Sequence, residues 1–145
     1  MLTSLTAILS VFAAASVAAQ GGSGIANCAR EYVVQPGDFC DKISAAQNVS
    51  TFQLAEVNKA TIDPLCDNLF PGETICLGVT GQDCQDIHVV ASGDFCASIA
   101  AAANIDISLL LTNNPNVNSD CSNIGLGEVL CTANVTIPYT PSTAA

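Results

Sequence analysis

The chain has 145 residues, a formal net charge of −10 at neutral pH and only three Lys or Arg residues. Nucleic-acid binding depends largely on Lys and Arg side chains that displace counterions from phosphates, so this composition excludes nucleic acid as a partner. The length allows one ordinary domain or two very small ones.

The first residues, MLTSLTAILSVFAAASVAAQ, have the pattern of a secretory leader. An apolar run from Leu5 to Val17 leads into Ala18 and Ala19, which predicts a signal peptide at residues 1–19. The leader has no Lys or Arg, which is atypical, and a buried helix is the alternative. The run is shorter than the ~20 residues that span a bilayer. We therefore expect a secreted, extracellular protein, soluble or associated with a cell wall, with a linker at residues 20–27.

All eight cysteines follow the leader, and their spacings of 12, 26 and 10 residues recur as 12, 25 and 10. An even number of cysteines in a small secreted chain predicts disulfide bonds. A metal site is disfavoured, because short C-x-x-C pairs are missing and His88 is the single histidine. Three pairings stay open within each copy, and we expect the bonds to close within copies. The predicted disulfide residues are Cys28, Cys40, Cys66, Cys76, Cys84, Cys96, Cys121 and Cys131.

The repeated spacing defines copy one at residues 28–78, a connector at 79–83 and copy two at 84–132. Both copies contain the tetrapeptide GDFC, at residues 37–40 and 93–96. With one gap near Pro64, the copies also share Asn58/Asn114 and Asn68/Asn123. A unit of about 50 residues has a marginal apolar core, so cross-links are expected to stabilise it.

In copy one, EYVVQ at residues 31–35 is β-branched and aromatic, which predicts a strand that ends at Pro36 and Gly37. Asp38 is expected to cap the N-terminus of a helix, because apolar side chains follow it at helical spacing. Asn48 is placed to end this helix, since asparagine tolerates the left-handed conformation found there.

Ser50 and Gln53 form a capping-box pattern for a second helix that runs to Asn58. An irregular loop and a Pro-Gly turn then lead to ETICL at residues 73–77, a second strand. DIHVV at 86–90 and EVLCT at 128–132 are the corresponding strands of copy two. Two strands separated by two helices pair most economically as an antiparallel sheet. The expected fold class is α+β, with two small disulfide-stapled βααβ domains in tandem.

Four side chains in the GDFC segments have two interpretations each. Asp38 and Asp94 fit helix caps better than catalytic or ligand carboxylates, because a cap explains them without a ligand. Phe39 and Phe95 fit core packing and a groove wall equally well.

Tyr32 and His88 occupy the same strand position, so His88 is interpreted as an ordinary sheet residue. Asn48 and Asn134 begin N-x-S/T sequons and are the predicted glycosylation sites. Residues 133–145 are expected to form a flexible tail, which lacks the hydrophobic end that a lipid anchor signal needs.

Two long segments resemble LysM domains in the cysteine-decorated form of secreted fungal proteins. They are YVVQPGDFCDKISAAQNVSTFQLAEVN with CDNLFPGETICL, and HVVASGDFCASIAAAANIDISLLLTNNPNVNSDCSNIGLGEVLC. The resemblance covers about residues 28–132. It rests on the G-D-x-C-x-x-I phrase, the Asn that ends the second helix, the C-x-N-hydrophobic-x-x-G phrase and the duplication. The fold that it implies for each copy is βααβ.

The resemblance implies a shallow groove for polymers of N-acetylglucosamine, namely chitin or peptidoglycan. One wall is the loop between the first strand and the first helix, and the other is the loop after the second helix. In copy one the implied ligand-binding residues are Gly37, Asp38, Phe39, Ala60, Thr61, Ile62, Asp63 and Pro64. In copy two they are Gly93, Asp94, Phe95, Asn116, Val117, Asn118 and Ser119.

The first functional hypothesis is a secreted, non-catalytic protein that binds chitin or N-acetylglucosamine oligomers and masks or sequesters chitin from host recognition. No cofactor, metal or membrane anchor is expected, and two binding modules are compatible with a ligand-driven dimer. The alternative is a disulfide-rich structural or surface protein on a LysM scaffold that has lost sugar binding. An enzyme is disfavoured, because the sequence has no activated Ser or Cys and no glycosidase-like carboxylate motif.

Overall fold

The computed structural model describes residues 21–139, so the predicted signal peptide and the last six residues lie outside the described part. Both copies have the order strand, helix, helix, strand. Copy one contains β1 (Cys28–Val33), α1 (Cys40–Gln47), α2 (Thr51–Val57) and β2 (Thr74–Val79). Copy two contains β3 (Ile87–Val89), α3 (Cys96–Ala102), α4 (Ile107–Asn113) and β4 (Val129–Cys131). The predicted α+β class and tandem βααβ arrangement are confirmed.

Each copy has one two-stranded sheet, and the pairing is antiparallel in both, as predicted. Strand β1 begins three residues earlier than expected, because β2 continues far enough for Val79 to pair with Cys28. Val34 lies beyond the end of β1, yet its N–H still donates to the Glu73 carbonyl at 2.8 Å. The pairing of the two strands therefore continues by one hydrogen bond into the segment that leads to α1.

Each copy has its own small apolar core between its helices and its sheet. The side chains at the centre of copy one are fully buried, and those of copy two lie at corresponding positions. The two sets are Val34, Ile43, Leu54 and Ile75, and Val90, Ile99, Leu110 and Leu130. The duplicated sequence therefore produces a duplicated core.

All eight cysteines form disulfide bonds, and every bond closes within one copy, as predicted. The pairing is nested in both copies: the outer two cysteines are joined, and so are the inner two. The outer bond of copy one ties β1 to β2, and that of copy two ties the segment before β3 to β4. The inner bonds tie the start of the first helix of each copy to the loop after the second. The bonds are Cys28–Cys76, Cys40–Cys66, Cys84–Cys131 and Cys96–Cys121.

The asparagine that ends the second helix of each copy is buried, and both its side-chain nitrogen and its side-chain oxygen form hydrogen bonds. The Asn58 side-chain amide donates to the carbonyls of Leu54 and Cys76 at 2.8 and 2.6 Å, and its oxygen accepts the Cys76 N–H at 2.9 Å. Asn114 makes the same three bonds to Leu110 and Cys131. This side chain fastens the helix to the last strand, which explains its recurrence.

A polar junction joins the two copies. Arg30 of β1 donates two hydrogen bonds of 2.7 Å to the Asp83 carboxylate in the connector, and a third, of 2.6 Å, to the Gln47 carbonyl. Burial raises the pKa of Asp83, but hydrogen bonds from Arg30 and Gln53 outweigh it and hold that pKa below its usual range. The connector is thus held against copy one.

Gln53 behaves differently from its capping-box prediction. The Ser50 hydroxyl does accept the Gln53 N–H at 3.1 Å, which confirms Ser50 as the N-cap of α2. The Gln53 side chain, however, is buried and turns toward the junction, where its amide donates to Asp83 and its oxygen accepts the Cys84 N–H. It bridges the copies instead of completing the cap.

Residues 133–139 correct the expectation of a flexible tail that begins at residue 133. Ala133 is buried against Cys84 and Cys131, and the Ile137 N–H donates to Asn113 at 2.8 Å. Tyr139 packs edge-on against Phe52 with ring centroids 5.1 Å apart, and its hydroxyl donates to Gln53 at 3.1 Å. Burial raises the pKa of Tyr139 to about 12. This segment therefore runs from copy two back onto copy one.

Within residues 21–139, no single helix is long and apolar enough to cross a membrane. Helices α3 and α4 reach that length and composition only as a pair, and the chain bends by 101° between them.

Candidate functional site

The first predicted groove wall is the loop between β1 and α1, and the structure corrects the role of its aspartate. Phe39, rather than Asp38, occupies the N-cap position of α1. The Asp38 carboxylate instead accepts hydrogen bonds from the Tyr32 hydroxyl at 2.7 Å and the Gln35 N–H at 2.9 Å. Asp38 therefore fixes the turn that precedes the helix, and Gly37 provides the positive φ of 84° that this turn needs.

These contacts shift the acidity of both partners. The Gln35 N–H and the Tyr32 hydroxyl hold the pKa of Asp38 below its usual value, because both bonds favour the carboxylate. The same bond to Asp38 raises the pKa of the Tyr32 hydroxyl. The carboxylate is thus ionised and occupied by partners from β1 and from its own loop, as expected of a structural residue.

Copy two contains the same arrangement, with His88 in the position of Tyr32. The His88 ring nitrogen Nε2 lies 2.7 Å from the Asp94 carboxylate, which also accepts the Ala91 N–H at 2.8 Å. His88 and the Ala91 N–H lower the pKa of Asp94. Asp94 is therefore not a helix cap, since Phe95 occupies that position, and His88 is more than an ordinary sheet residue. His88 does in copy two what Tyr32 does in copy one.

Phe39 and Phe95 project from these loops into solvent. Each is 57% exposed, which contradicts the core-packing interpretation, and their role as groove walls stays a prediction. The two Asp-anchored turns thus present one aromatic side chain each at the start of the following helix.

The second predicted wall is held by an asparagine that both copies share. The Asn68 side chain accepts the Asp63 N–H at 3.0 Å and donates to the Thr61 carbonyl at 2.8 Å. Asn123 makes the equivalent bonds to Asn118 and Asn116. These bonds pair Thr61 with Asn116, so the extra residue of copy one lies before Thr61, and the gap predicted near Pro64 is placed too late.

The two walls of copy one enclose an open cavity of about 230 Å³, which we call groove one. Phe39 comes from the first wall, and Ile62, Asp63 and Pro64 come from the second. Four other predicted residues lie in the same loops but do not line the cavity. They are Gly37, Asp38, Ala60 and Thr61. The structure therefore brings the predicted walls together, but only some of the predicted residues in each wall line the cavity.

Sequence reasoning missed six residues that line groove one. Leu65, which is 83% exposed, is the most informative, and an apolar side chain directly after Pro64 in a polar loop was its only signal. The others depend on helix orientation and on the inner disulfide, which no local pattern reveals. They are Cys40, Asp41, Thr51, Ala55 and Cys66.

Groove one continues over α2 into a neighbouring hollow of about 200 Å³. The hollow shares Ile62, Asp63 and Pro64 with the groove and adds Phe52, Glu56 and Lys59. Hydrogen bonding to Asp67 and to backbone N–H groups lowers the pKa of Asp63, whereas the same contact raises that of Asp67. Asp63 is thus an ionised carboxylate that lines both the groove and the hollow.

The corresponding wall of copy two is more polar. Val117 is buried like its counterpart Ile62, but Ser119 and Asp120 occupy the positions of Pro64 and Leu65. The Asn116 side chain is bonded to Glu128 at 2.6 Å, and the Asn118 N–H is bonded to Asn123. Copy two therefore has the framework of a groove without the exposed apolar side chains of its second wall.

The sequence matches the LysM domain family over residues 32–78 and again over residues 88–132. Each range covers most of one βααβ unit and contains both walls of that copy. The chain belongs to the LysM domain family, with two LysM domains in tandem. Carbohydrate binding is the role that this class of domain serves.

Three curated fungal relatives illustrate the similarity. The chain is 29% identical over 128 residues to Secreted LysM effector LysM1 of Trichophyton rubrum, covering 72% of this chain and 50% of the relative. It is 30% identical over 116 residues to Secreted LysM effector LysM2 of Penicillium expansum, covering 74% and 33%. It is 32% identical over 110 residues to Non-secreted LysM effector LCP1 of Gibberella moniliformis, covering 74% and 14%.

The chain spans half the length or less of these relatives. Two of the three are named as secreted, which agrees with the extracellular location predicted for this chain. Among solved structures, the Bacillus megaterium QM B1551 spore cortex-lytic enzyme SleL aligns with 70% of this chain and 21% of its own, at 15% identity. Its TM-score of 0.37 is too low to support a conclusion about fold or function.

Proposed function

We propose that the protein is a non-catalytic binder of chitin, and that groove one is its main site for N-acetylglucosamine oligomers. The observation that carries the proposal is the cavity between Phe39 and the Ile62–Leu65 segment, where walls from distant parts of copy one meet. The Cys40–Cys66 bond and the Asn68 side chain hold these walls in place. A groove that is formed before the ligand arrives avoids the entropic cost of ordering loops.

The lining of groove one suits an acetylated amino sugar. Phe39, Pro64 and Leu65 offer apolar surface to the acetyl methyl group and to the C–H face of the ring. The Asp63 carboxylate offers an acceptor to the sugar amide or to a hydroxyl. The chain has no Trp, the aromatic side chain with the largest stacking surface, so we expect modest affinity per site.

Masking or sequestering chitin from host recognition is the biological role that we propose for this binding. It is compatible with a small acidic extracellular protein whose curated relatives are named LysM effectors. A ligand-driven dimer, in which one long oligomer spans two protein molecules, would add avidity without new contacts. No catalytic step is included in the proposal.

The scaffold that has lost sugar binding remains the second candidate, and copy two provides the observation that favours it. Its second wall has Ser119 and Asp120 in place of an apolar pair. We propose that this loss is confined to copy two, so that one protein molecule binds oligomers mainly at one site.

An exchange of one residue between the copies tests this proposal. Leu65→Asp places the copy-two residue in copy one, and we expect the affinity for N-acetylglucosamine hexamer to fall roughly tenfold, because an apolar contact is replaced by a hydrated charge. Asp120→Leu makes the reverse change, and it should raise the stoichiometry toward two sites. Isothermal titration calorimetry of the oxidised protein measures both values.

Phe70→Asp is the matched control, because Phe70 is also a strongly exposed apolar residue of copy one but does not line groove one. It introduces the same charge as Leu65→Asp and should leave the affinity within about twofold of the wild-type value. Cellohexaose and a peptidoglycan fragment serve as control ligands. If the wild-type protein binds none of the sugars, the scaffold function replaces the proposed one.

A further inference from the structure

Another open cavity lies between the two LysM domains and belongs to neither alone. Its volume is about 390 Å³, which falls within the ~300–1,000 Å³ range of small-molecule sites. Helix α1 and the residue before it form one side, and β3 with the turn before β4 forms the other. The lining residues are Phe39, Asp41, Lys42 and Ala45 of copy one, and Val89, Leu126 and Gly127 of copy two.

The apolar side chains of this cavity are unusually exposed for their size. Leu126 is 74% exposed, Phe39 57% and Val89 39%, and they converge although they come from three separate segments. Such convergence of exposed apolar groups with a small number of charged neighbours is typical of a binding surface. Asp41 and Lys42 are the charged neighbours, and Lys42 is itself held by Asp38 at 3.3 Å.

The two sides of the cavity are held together by a direct contact between the copies. The Thr51 hydroxyl accepts the Val129 N–H of β4 at 2.9 Å and donates to the Asp41 carboxylate at 2.9 Å. Thr51 also lines groove one. The position of copy two is therefore linked, through one side chain, to the wall of the groove in copy one.

The interdomain cavity adjoins groove one, because Phe39 and Asp41 line both. We propose that the interdomain cavity is an extension subsite. An oligomer bound in groove one continues past Phe39, and its next N-acetylglucosamine unit lies in this cavity. The sugar ring lies on Val89 and Leu126, and its hydroxyl and amide groups face Asp41 and Lys42. Copy two thus contributes to binding through a surface outside its own groove, and this inference rests on the proposed function.

The extension subsite predicts a specific dependence on oligomer length. A short oligomer is held by groove one alone, whereas a longer one also covers the apolar surface of copy two. Titration of Leu126→Asn and Val89→Thr with N-acetylglucosamine trimer and hexamer tests this directly. We expect each variant to lose roughly fivefold to tenfold in affinity for the hexamer and to stay within about twofold for the trimer.

Phe70→Asn is the control, because it removes an equally exposed apolar side chain from the corresponding turn region of copy one. Both test substitutions preserve side-chain size, and thermal unfolding of each variant checks that the fold is unchanged. Val89→Thr keeps a β-branched side chain in β3, so it carries the test if Leu126→Asn unfolds the turn.

Each outcome decides one point. Wild-type affinity of both variants for the hexamer overturns the extension subsite and leaves groove one as the site. Equal losses for trimer and hexamer also overturn it, because the residues would then belong to the primary site. If the wild-type protein binds neither oligomer, the proposed function fails and the extension subsite fails with it.

Discussion

At the scale of single residues, the positions that the two copies share are mostly structural. Asn58 and Asn114 each satisfy three buried backbone groups, and Asn68 and Asn123 each fix the second wall of a groove. Asp38 fixes a turn rather than a helix end. Exposed Phe39 is the exception, since no structural bond requires it and it borders two cavities.

The role of Asn58 gives a stability prediction. Asn58→Leu leaves the buried Cys76 N–H without its side-chain acceptor and removes one hydrogen bond each from the Leu54 and Cys76 carbonyls. A buried polar group without a partner costs about 1–3 kcal/mol. We expect a loss of roughly 2–4 kcal/mol in the free energy of unfolding of the oxidised protein, measured by guanidinium denaturation. Gln35→Ala, at an exposed amide, should cost less than about 0.5 kcal/mol. Equal midpoints for the two variants would contradict this role of Asn58.

At the scale of structural elements, the inner disulfide of each copy connects the start of one helix to the loop that forms the second wall. Cys40 and Cys66 both line groove one, so this bond shapes the site as well as stabilising the fold. The outer bond between β1 and β2 has no such position. Loss of the inner bond is therefore expected to reduce both stability and binding, whereas loss of the outer bond should reduce stability alone.

Removal of the inner bond tests that separation. Replacement of Cys40 and Cys66 by Ser should cost roughly 3 kcal/mol in stability, because the unfolded chain regains a loop of 26 residues. It should also weaken hexamer binding, because the second wall is no longer tethered to α1. Calorimetry and thermal unfolding measure the two effects.

The matched control is the equivalent double replacement of Cys96 and Cys121, which opens a loop of 25 residues in copy two. Its cost in stability should be similar, yet hexamer binding should be retained if groove one is the main site. Equal loss of binding in both double variants would argue against a site confined to copy one.

Local features of this fold can be predicted from the sequence, whereas contacts between residues far apart in the chain cannot. Element order, the Ser50 cap, the left-handed Asn48 and closure of disulfides within copies follow from local patterns and from the repeated spacing. The contacts of Arg30 and Gln53 do not, because they join residues that share no periodicity or repeat. Leu65 was missed for a related reason: its exposure depends on the path of an irregular loop.

At the scale of the whole molecule, the two LysM domains are not independent modules on a free connector. Arg30, Gln53 and Asp83 form a hydrogen-bonded junction, and the segment that ends at Tyr139 returns from copy two to pack on Phe52 of copy one. These junction residues have no counterparts in the other copy, where Asp86 and Leu109 stand in the positions of Arg30 and Gln53. Duplication was therefore followed by divergence at the surface where the copies meet.

The most direct test of the account is a titration of isotopically labelled, oxidised protein with N-acetylglucosamine trimer, followed by backbone amide shifts in NMR spectra. We expect the largest shift changes on the amides of residues 39–41, 62, 63, 65 and 66, which line groove one, with smaller changes at residues 95 and 116–120. Changes centred on copy two, or no changes at millimolar trimer, would contradict groove one as the main carbohydrate site.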